Sequence, residues 1–273
     1  MAEQYKSLHP AKYYRDHLKH DIRPDGRELS DFRPVVINVG SIKTADGSSI
    51  VKIGNTTVVC GIKAEISRPK ADAATKGFLV PNVELSPVCS SKFKPGPPSD
   101  QAQVLTQIIA DIVGNSQCIN LEELCIFPDK IAWCLYADLI CIDYDGSLID
   151  ACALALISCL KVVSLPEVSY DPSLDKQQVN LEKRTPINVN SVFVSTTFAI
   201  FDDKLILADP TVEEENLCTG TLTIVTCNDE LCYVHKPGGS PLVDEQMSDC
   251  IEKCMNRSNS IKKLIKTAIL ENI

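Results

Sequence analysis

Two acidic segments hold the side chains best suited to chemistry in this sequence of 273 residues. The first is Asp209-Pro-Thr-Val-Glu-Glu-Glu215, which follows an apolar run. The second comprises Asp143, Asp145 and Asp150, at the start of another apolar run. Carboxylates of the first segment could position a metal ion, or the segment could be a solvated turn. The second set fits turn formation and a favourable helix N-terminus, to which a carboxylate contributes about 0.3–1 kcal/mol.

Other sequence patterns with known chemistry are weak or absent. Cys250 and Cys254 lie four residues apart without a nearby histidine, so we expect no zinc site and no other metal or cofactor. His235 could serve a Ser-His-Asp triad, but a histidine that ends a strand is the favoured interpretation. Gly238-Gly239-Ser240 could present amides to an anion. A turn into the following helix explains that glycine pair more simply.

Composition and charge limit the classes of protein. There are 36 acidic against 27 basic side chains, a net charge of −9, which argues against binding nucleic acid over the whole surface but not against a local basic groove. The thirteen cysteines lie mostly in apolar segments, and the first thirty residues are charged throughout. We therefore expect no secretory signal and a reducing compartment. No apolar run approaches the roughly 18 residues that a membrane-spanning helix requires.

The first half of the chain is predicted to contain a β-meander followed by two helices. A short helix at 13–20 precedes it, and Ser99 or Asp100 is a good N-cap for the first of the two helices. The apolar spacing of the second predicts a helix buried between layers. The predicted strands are 35–39, 49–53, 57–64 and 130–142, and the two helices are 100–117 and 148–163.

The second half repeats this plan of strands followed by a helix. Its predicted strands are 192–201, 204–208, 217–226 and 231–235, and a long helix closes the chain after Gly239. The repetition predicts an α+β protein of two packed halves. We predict an N-terminal arm at 1–22, a first domain at 23–166, a linker at 167–189 and a second domain at 190–273.

Several motifs in a fixed order resemble the RNase PH-like subunits of the eukaryotic RNA exosome ring, over nearly the whole chain. They are Arg23-Pro-Asp-Gly-Arg27, Gly47-Ser48, Val51-Lys-Ile-Gly-Asn-Thr-Thr57, Val80-Pro-Asn-Val83, Pro95-Gly-Pro-Pro98, Asp145-Gly146-Ser147 and Leu207-Ala-Asp-Pro-Thr211. The resemblance implies the RNase PH fold, with a ribosomal S5 domain 2-like N-terminal half and an RNase PH C-terminal-like half. It also implies a six-membered ring of related subunits around an RNA channel.

The same resemblance implies an active site that has lost its phosphate clamp. Active relatives carry an arginine directly after the Gly-Ser turn, where this chain has Leu148, which offers neither charge nor donor. They also carry two aspartates six residues apart, and here the second position is Glu215. We therefore expect no catalytic residues and an inert subunit. The degenerate remnants of the site are Gly146, Ser147, Leu148, Asp209 and Glu215.

Charge is segregated along the chain in a way that bears on RNA binding. Residues 61–98 contain six basic against three acidic side chains, whereas residues 197–232 contain eight acidic side chains against one lysine. Because phosphate contacts supply affinity without sequence specificity, basic side chains of the first half are the candidates for RNA contact. They are Lys92, Lys94, Arg68 and Lys70. A solvated loop is the alternative for the first two.

The expected function is that of a non-catalytic structural subunit that supports 3′→5′ RNA processing and degradation by shaping the channel and scaffolding other subunits. Expected partners are other RNase PH-like ring subunits, S1/KH-type cap subunits, RNA in the channel and associated nuclease subunits, but no membrane. The family implies the nucleus, nucleolus and cytoplasm. One alternative is an active phosphate-dependent 3′→5′ exoribonuclease. Another is a small-molecule enzyme, which would be a stable monomer with a ligand pocket.

Overall fold

Two helices begin the chain in the computed structural model, which describes residues 2–171 and 176–271. They are α1 (Ala2–Leu8) and α2 (Pro10–Leu18). The sequence predicted only one helix here, at 13–20. The second helix begins earlier than predicted, because a proline fits the first helical turn. Tyr14 and Leu18 are buried against Phe201 and Leu207 of the second half, so this segment is packed onto the protein.

The first sheet begins with the predicted antiparallel meander. Its strands are β1 (Val35–Val39), β2 (Gly47–Ile53), β3 (Thr56–Ser67), β4 (Phe78–Leu85), β5 (Cys125–Phe127) and β6 (Ile131–Asp143). Their order is β1-β2-β3-β6-β4, and β5 pairs with β6. Strand β4 lies at the edge, parallel to β6, and was not predicted from the sequence. It contains Pro81, which weakens the strand pattern and is tolerated at a sheet edge.

Two helices follow strands of this sheet, as predicted. Helix α3 (Asp100–Ser116) is capped by the Ser99 hydroxyl, which accepts a hydrogen bond from the Ala102 amide at 3.3 Å. Helix α4 (Leu148–Leu160) is buried at every position except Ile149. It packs on β2 and β3 and on the second sheet, so the predicted burial between layers is confirmed.

The predicted linker, 167–189, lies largely within a two-stranded hairpin. Strands β7 (Ser164–Asp171) and β8 (Lys176–Pro186) pair antiparallel, and four residues between them lie outside the described chain. The polar composition concealed the strands, because an exposed hairpin needs few apolar side chains. Arg184 forms an ion pair with Asp46, which joins this hairpin to the turn between β1 and β2.

The second sheet and its helices complete the fold. The elements are β9 (Phe193–Phe201), β10 (Leu205–Ala208), α5 (Val212–Leu217), β11 (Gly220–Cys227), β12 (Glu230–His235) and α6 (Asp244–Leu270). The strand order is β10-β9-β11-β12, and all nine residues of β9 are buried. Ser195 and Thr197 of β9 face α4, whereas Thr196 and Phe198 face the long C-terminal helix α6. The core therefore lies on both faces of this sheet.

Candidate functional site

The two acidic segments meet between the halves of the protein. One lies in the connection from β6 to α4, and the other runs from the end of β10 into α5. Gly146 has a φ of +79°, and a Cβ there would overlap the carbonyl oxygen of Pro210. Only glycine permits this close approach of the two backbones. The Ser147 hydroxyl donates to the same carbonyl at 3.1 Å and so ties the turn to the second half.

A carboxylate of the chain itself is bound at the start of α4. The Ser147 amide donates to Glu215 at 2.7 Å, and the Tyr144 hydroxyl donates to the other oxygen of Glu215 at 3.0 Å. Burial raises the pKa of Glu215, although these two donors oppose the shift. The backbone amide and the start of the helix form an environment that favours an anion, and Glu215 supplies one.

Leu148 is the first residue of α4, and its side chain is part of the apolar core. Its side chain is only 5% exposed and belongs to the main apolar cluster. No side-chain cation therefore follows the Gly146-Ser147 turn, and the position is filled by hydrocarbon.

Asp209 is held by Arg33 through three hydrogen bonds, and Arg27 lies 3.7 Å from the same carboxylate. Its carboxylate accepts from the Arg33 amide at 2.8 Å, from Nε at 3.0 Å and from Nη2 at 2.6 Å. Burial would raise the pKa of Asp209, but Arg33 outweighs it and lowers the pKa to about 2. The charge-assisted pair is closed on itself, because both carboxylate oxygens are engaged.

A second buried ion pair lies beside the first. Arg23 donates through Nε to Glu214 at 2.9 Å and pairs with it through Nη2, and both side chains are almost fully buried. Arg23 also donates to the carbonyls of Ala208 and Asp209, at 2.7 and 3.1 Å. Glu214 in turn accepts from the Thr211 amide in the capping box of α5. These hydrogen bonds hold the turn Arg23-Pro-Asp-Gly-Arg27 against the backbone at Ala208 and Asp209.

Asp150 is a third buried carboxylate, and it binds the second sheet. It accepts from the Ser195 hydroxyl, and from the amide and hydroxyl of Thr197 at 2.7 and 2.9 Å. Burial raises the pKa of Asp150 to about 6, with Asp209 adding to the shift and the donors opposing it. Arg257 of α6, whose guanidinium lies 4.0 Å from the ring centroid of Phe32, adds a further positive charge close to these carboxylates.

Neither of the two interpretations of the segment from Asp209 to Glu215 fits this arrangement. Asp209 and Glu214 are each 1% exposed, so the segment is not a solvated turn. The carboxylates bind arginines, a tyrosine and an amide. Across the described ranges, no three His, Cys, Asp or Glu side chains are grouped as metal ligands would be.

The four predicted RNA contacts lie in two places. Arg68 and Lys70 are exposed beyond the end of β3, with the Lys70 ammonium 5.9 Å from the centroid of the Phe78 ring. Lys92 and Lys94 are exposed in the loop between β4 and α3. Because β3 ends where β4 begins, Arg68 and Lys70 lie near the start of β4, whereas Lys92 and Lys94 lie in the loop that follows its end.

The Lys92–Lys94 loop contacts the site of Glu215. Phe93, between the two lysines, is buried with its ring centroid 6.0 Å from that of Tyr144. Tyr144 is the residue that donates to Glu215. This contact places one predicted basic pair next to the Glu215 site, whereas the other pair lies near the start of β4.

The remaining residues singled out in the sequence lie in a turn, in the apolar core and on a strand. Gly239 has a φ of +77° and a Cβ there would overlap the Thr219 carbonyl oxygen, so the pair serves the turn before α6. Cys250 and Cys254 are buried free thiols in the core under α6. The ring of His235 stacks on Tyr233. No helix within the described residues is long and apolar enough to cross a membrane.

Comparison with known proteins identifies the family of this fold and site. The model of the 3′ exoribonuclease family, domain 1, matches residues 31–166, and that of domain 2 matches residues 191–257. The chain therefore belongs to the 3′ exoribonuclease family and has its two-domain RNase PH fold, as the motifs predicted.

Particular relatives share nearly the full length of the chain. It is 45% identical over 249 residues to exosome complex component rrp43 of Schizosaccharomyces pombe, covering 91% of this chain and 92% of the relative. It is 36% identical over 260 residues to exosome complex component Rrp42 of Pyrococcus furiosus, with 94% and 92% covered. A solved Archaeoglobus fulgidus exosome with RNA bound to the active site contains a chain 30% identical, with a TM-score of 0.83 and 93% and 96% covered.

Proposed function

We propose that the chain is a non-catalytic structural subunit in an RNase PH-type ring of an RNA exosome. It would support 3′→5′ RNA processing and degradation by shaping the RNA channel and holding other subunits. The relatives named as exosome components support this assignment, as does the likeness to an exosome with bound RNA. Its partners would be related ring subunits, S1/KH-type cap subunits, RNA and an associated nuclease. We also propose residence in the nucleus, nucleolus and cytoplasm, which a fluorescent fusion would test.

The hydrogen bond from Ser147 to Glu215 is the observation that carries the proposed lack of catalysis. Phosphorolysis requires inorganic phosphate beside the RNA 3′ end, and a helix N-terminus next to a cation would hold it. Here the Ser147 amide already binds a carboxylate, and Leu148 contributes no charge. An incoming phosphate would have to displace Glu215, and the nearby Asp150 disfavours a further negative charge at that position.

Nuclear magnetic resonance of the full chain tests this claim directly. On addition of inorganic phosphate, the Ser147 amide resonance should stay unmoved in the wild type, because Glu215 occupies it. In Glu215→Ala the amide loses its partner and its resonance should move with phosphate. Glu245→Ala, which removes an exposed glutamate of α6, is the matched control and should behave as the wild type. A phosphate-dependent shift of Ser147 in the wild type would refute the claim.

An exposed apolar face of the first sheet supports assembly. Val80 of β4 and Tyr136 of β6 are paired in register and are each 41% exposed. Ile140 and Ile142 follow Tyr136 at alternate positions, so they share its face of the sheet, and both remain exposed. Asp138 lies between Tyr136 and Ile140 on this face and accepts a hydrogen bond from Asn82, so the face combines apolar and polar side chains. Exposed apolar side chains set among polar ones are typical of protein interfaces. We assign it to contact with a neighbouring ring subunit.

A charge placed on this face should prevent assembly. We expect Tyr136→Glu to stay monomeric when mixed with the other ring subunits, because burying an unpaired carboxylate in an apolar interface is costly. Val104→Glu places the same charge on an exposed position of α3 and should assemble normally. Native mass spectrometry distinguishes the two, and normal assembly of Tyr136→Glu would show that this face is not the interface.

Lys92 and Lys94 are the basic pair we propose for RNA contact near the degenerate site. Their loop is exposed and rests on Tyr144 through Phe93. Such lysines contribute phosphate contacts whose strength falls with salt. Photo-crosslinking of thiouridine-containing RNA to the assembled ring, followed by peptide mapping, should identify this loop. We propose Arg68 and Lys70 as a separate contact at the other end of the sheet.

A further inference from the structure

A groove of about 560 Å³ lies at the end of α4 opposite to the degenerate site. Its apolar floor comprises Val192, Ile265 and Ile269, and its basic side chains are Lys161, Lys262 and Lys266. Lys161 caps the C-terminus of α4, whereas Ser147 caps its N-terminus. The thirteen residues of α4 separate the groove from Glu215 by about 20 Å.

The groove is basic in a chain that is acidic overall. Three lysines and no acidic side chain line it, although the net charge of the chain is −9. One acidic side chain reaches a groove lysine from outside: Asp229, which is 70% exposed, lies 3.3 Å from Lys262. Lys161 and Lys266 have no carboxylate within ion-pair distance among the described residues. The local charge therefore favours an anionic occupant.

The positive charges of Lys161 and Lys266 repel each other. Lys161 donates to the carbonyl oxygen of Val189 at 3.0 Å, which holds its ammonium at the groove wall. Burial lowers the pKa of Lys161, and the positive charge of Lys266 lowers it further. A carboxylate placed between these ammonium groups would gain attraction from both and would remove their mutual repulsion.

We infer that this groove binds an acidic peptide segment of a partner protein, with aliphatic side chains on the floor and carboxylates on Lys161 and Lys266. The distance from Lys262 to Leu270 along α6 is about 12 Å, which fits about four extended residues or two turns of helix. Leu270 lies at the end of the groove and is 73% exposed, so the apolar floor extends to a side chain that the described residues leave largely uncovered.

The lining favours a peptide over a nucleic acid. Single-stranded nucleic acid binds through phosphate contacts combined with stacking of bases on aromatic rings. The groove has no aromatic side chain among its lining residues, and its floor is branched aliphatic. Aliphatic side chains of a peptide bury well on such a floor, whereas phosphates and sugars do not.

Selection of short random peptides displayed on phage against the full chain tests the inference. The enriched peptides should combine Asp or Glu with Leu, Ile or Val. Their affinity, measured by fluorescence anisotropy, should fall about tenfold in Lys266→Glu, because reversal turns an attraction into a repulsion. Lys263→Glu makes the same change on an exposed position of α6 that does not line the groove, and should leave the affinity within about twofold.

Three outcomes would overturn the inference. They are enrichment of peptides without acidic residues, equal affinity for the wild type and Lys266→Glu, and displacement of the peptide by oligouridine. The last would assign the groove to nucleic acid. None of these outcomes bears on the proposed inertness, because the groove and Glu215 lie at opposite ends of α4.

Discussion

Asp209, Glu214 and Glu215 belong to one short segment, yet their carboxylates have two kinds of partner. Asp209 and Glu214 are neutralised by Arg33 and Arg23, whereas Glu215 is bound by an amide and a hydroxyl. A catalytic carboxylate needs room for the group it acts on. All three carboxylates have both oxygens engaged by groups of this chain, and these bonds link the two halves.

The Asp209–Arg33 pair gives the stability of the protein a defined dependence on acid. The pKa of Asp209 is depressed from 3.8 to about 2 in the folded protein. Its contribution is therefore present above pH 4 and is lost as the pH falls from about 4 to about 2. At about 1.4 kcal/mol per pKa unit, this loss amounts to roughly 2 kcal/mol.

Asp209→Asn should remove this acid dependence and destabilise the protein at neutral pH. It leaves the buried Arg33 with only Asp145, whose carboxylate lies 3.5 Å from its guanidinium, as an ion-pair partner. Removing one partner of a buried pair typically costs about 3–5 kcal/mol. Urea unfolding at pH 7 and pH 3 measures both effects. Asp72→Asn, on an exposed side chain, is the control. An unchanged free energy of unfolding at pH 7 in Asp209→Asn would contradict the buried pair.

At the scale of elements, the Gly146 turn determines how α4 meets the second half. The turn brings the start of α4 against Pro210, and the N-terminal arm holds the next element from the other side. Tyr14 donates to Glu213 at 2.6 Å, and Arg15 binds Asp202 through two hydrogen bonds of 2.7 and 2.8 Å. Helix α5 is therefore fixed between the arm and the β6–α4 connection.

Gly146→Ala should destabilise the protein by more than an ordinary glycine substitution. The positive φ alone costs about 1–3 kcal/mol for a residue with a Cβ, and the overlap with the Pro210 carbonyl adds to it. Gly114→Ala is the matched control, since Gly114 lies in α3 with open space around it and should gain about 0.5–1 kcal/mol. Thermal unfolding measures the stability of both variants. Equal stabilities would show that the backbone at Gly146 does not approach the Pro210 carbonyl closely.

Elements with strong periodicity could be predicted from sequence, and those defined by their neighbours could not. The all-apolar pattern of α4 and the alternating strands of the meander gave elements within a few residues of the observed ones. Strand β4 carries a proline, and β7 and β8 are polar, so their pairing depends on register with β6 and with each other. Local propensity does not encode such pairing.

The same distinction applies to the site. Leu148, Asp209 and Glu215 were found because a motif places them. Their partners were missed, since Arg33 lies 176 residues from Asp209 and Arg23 lies 191 residues from Glu214. Arg23-Pro-Asp-Gly-Arg27 contributed only to the family resemblance, and no partner was predicted for either arginine. The one available signal was the presence of two arginines, Arg23 and Arg27, in a short turn of an acidic chain.

For the whole molecule, part of the acidic surplus is internal. Asp209, Glu214 and Asp150 are buried, so their charges do not contribute to an RNA-facing surface in the way that exposed carboxylates would. Exposed lysines lie beside the Glu215 site, and further lysines line the groove at the other end of α4. The distribution suits a ring component that meets RNA and protein partners at separate places.

Nucleoside diphosphate release from the assembled ring tests the central claim, that this subunit assembles around RNA without phosphorolysing it. Rings are reconstituted with the wild-type chain or with Glu215→Gln, which removes a remnant carboxylate charge, and are incubated with RNA, inorganic phosphate and Mg²⁺. The account predicts equal rates for the two rings and no release by the isolated chain. Diphosphate release by the isolated wild-type chain, or a rate that falls in the Glu215→Gln ring while assembly is normal, would contradict it.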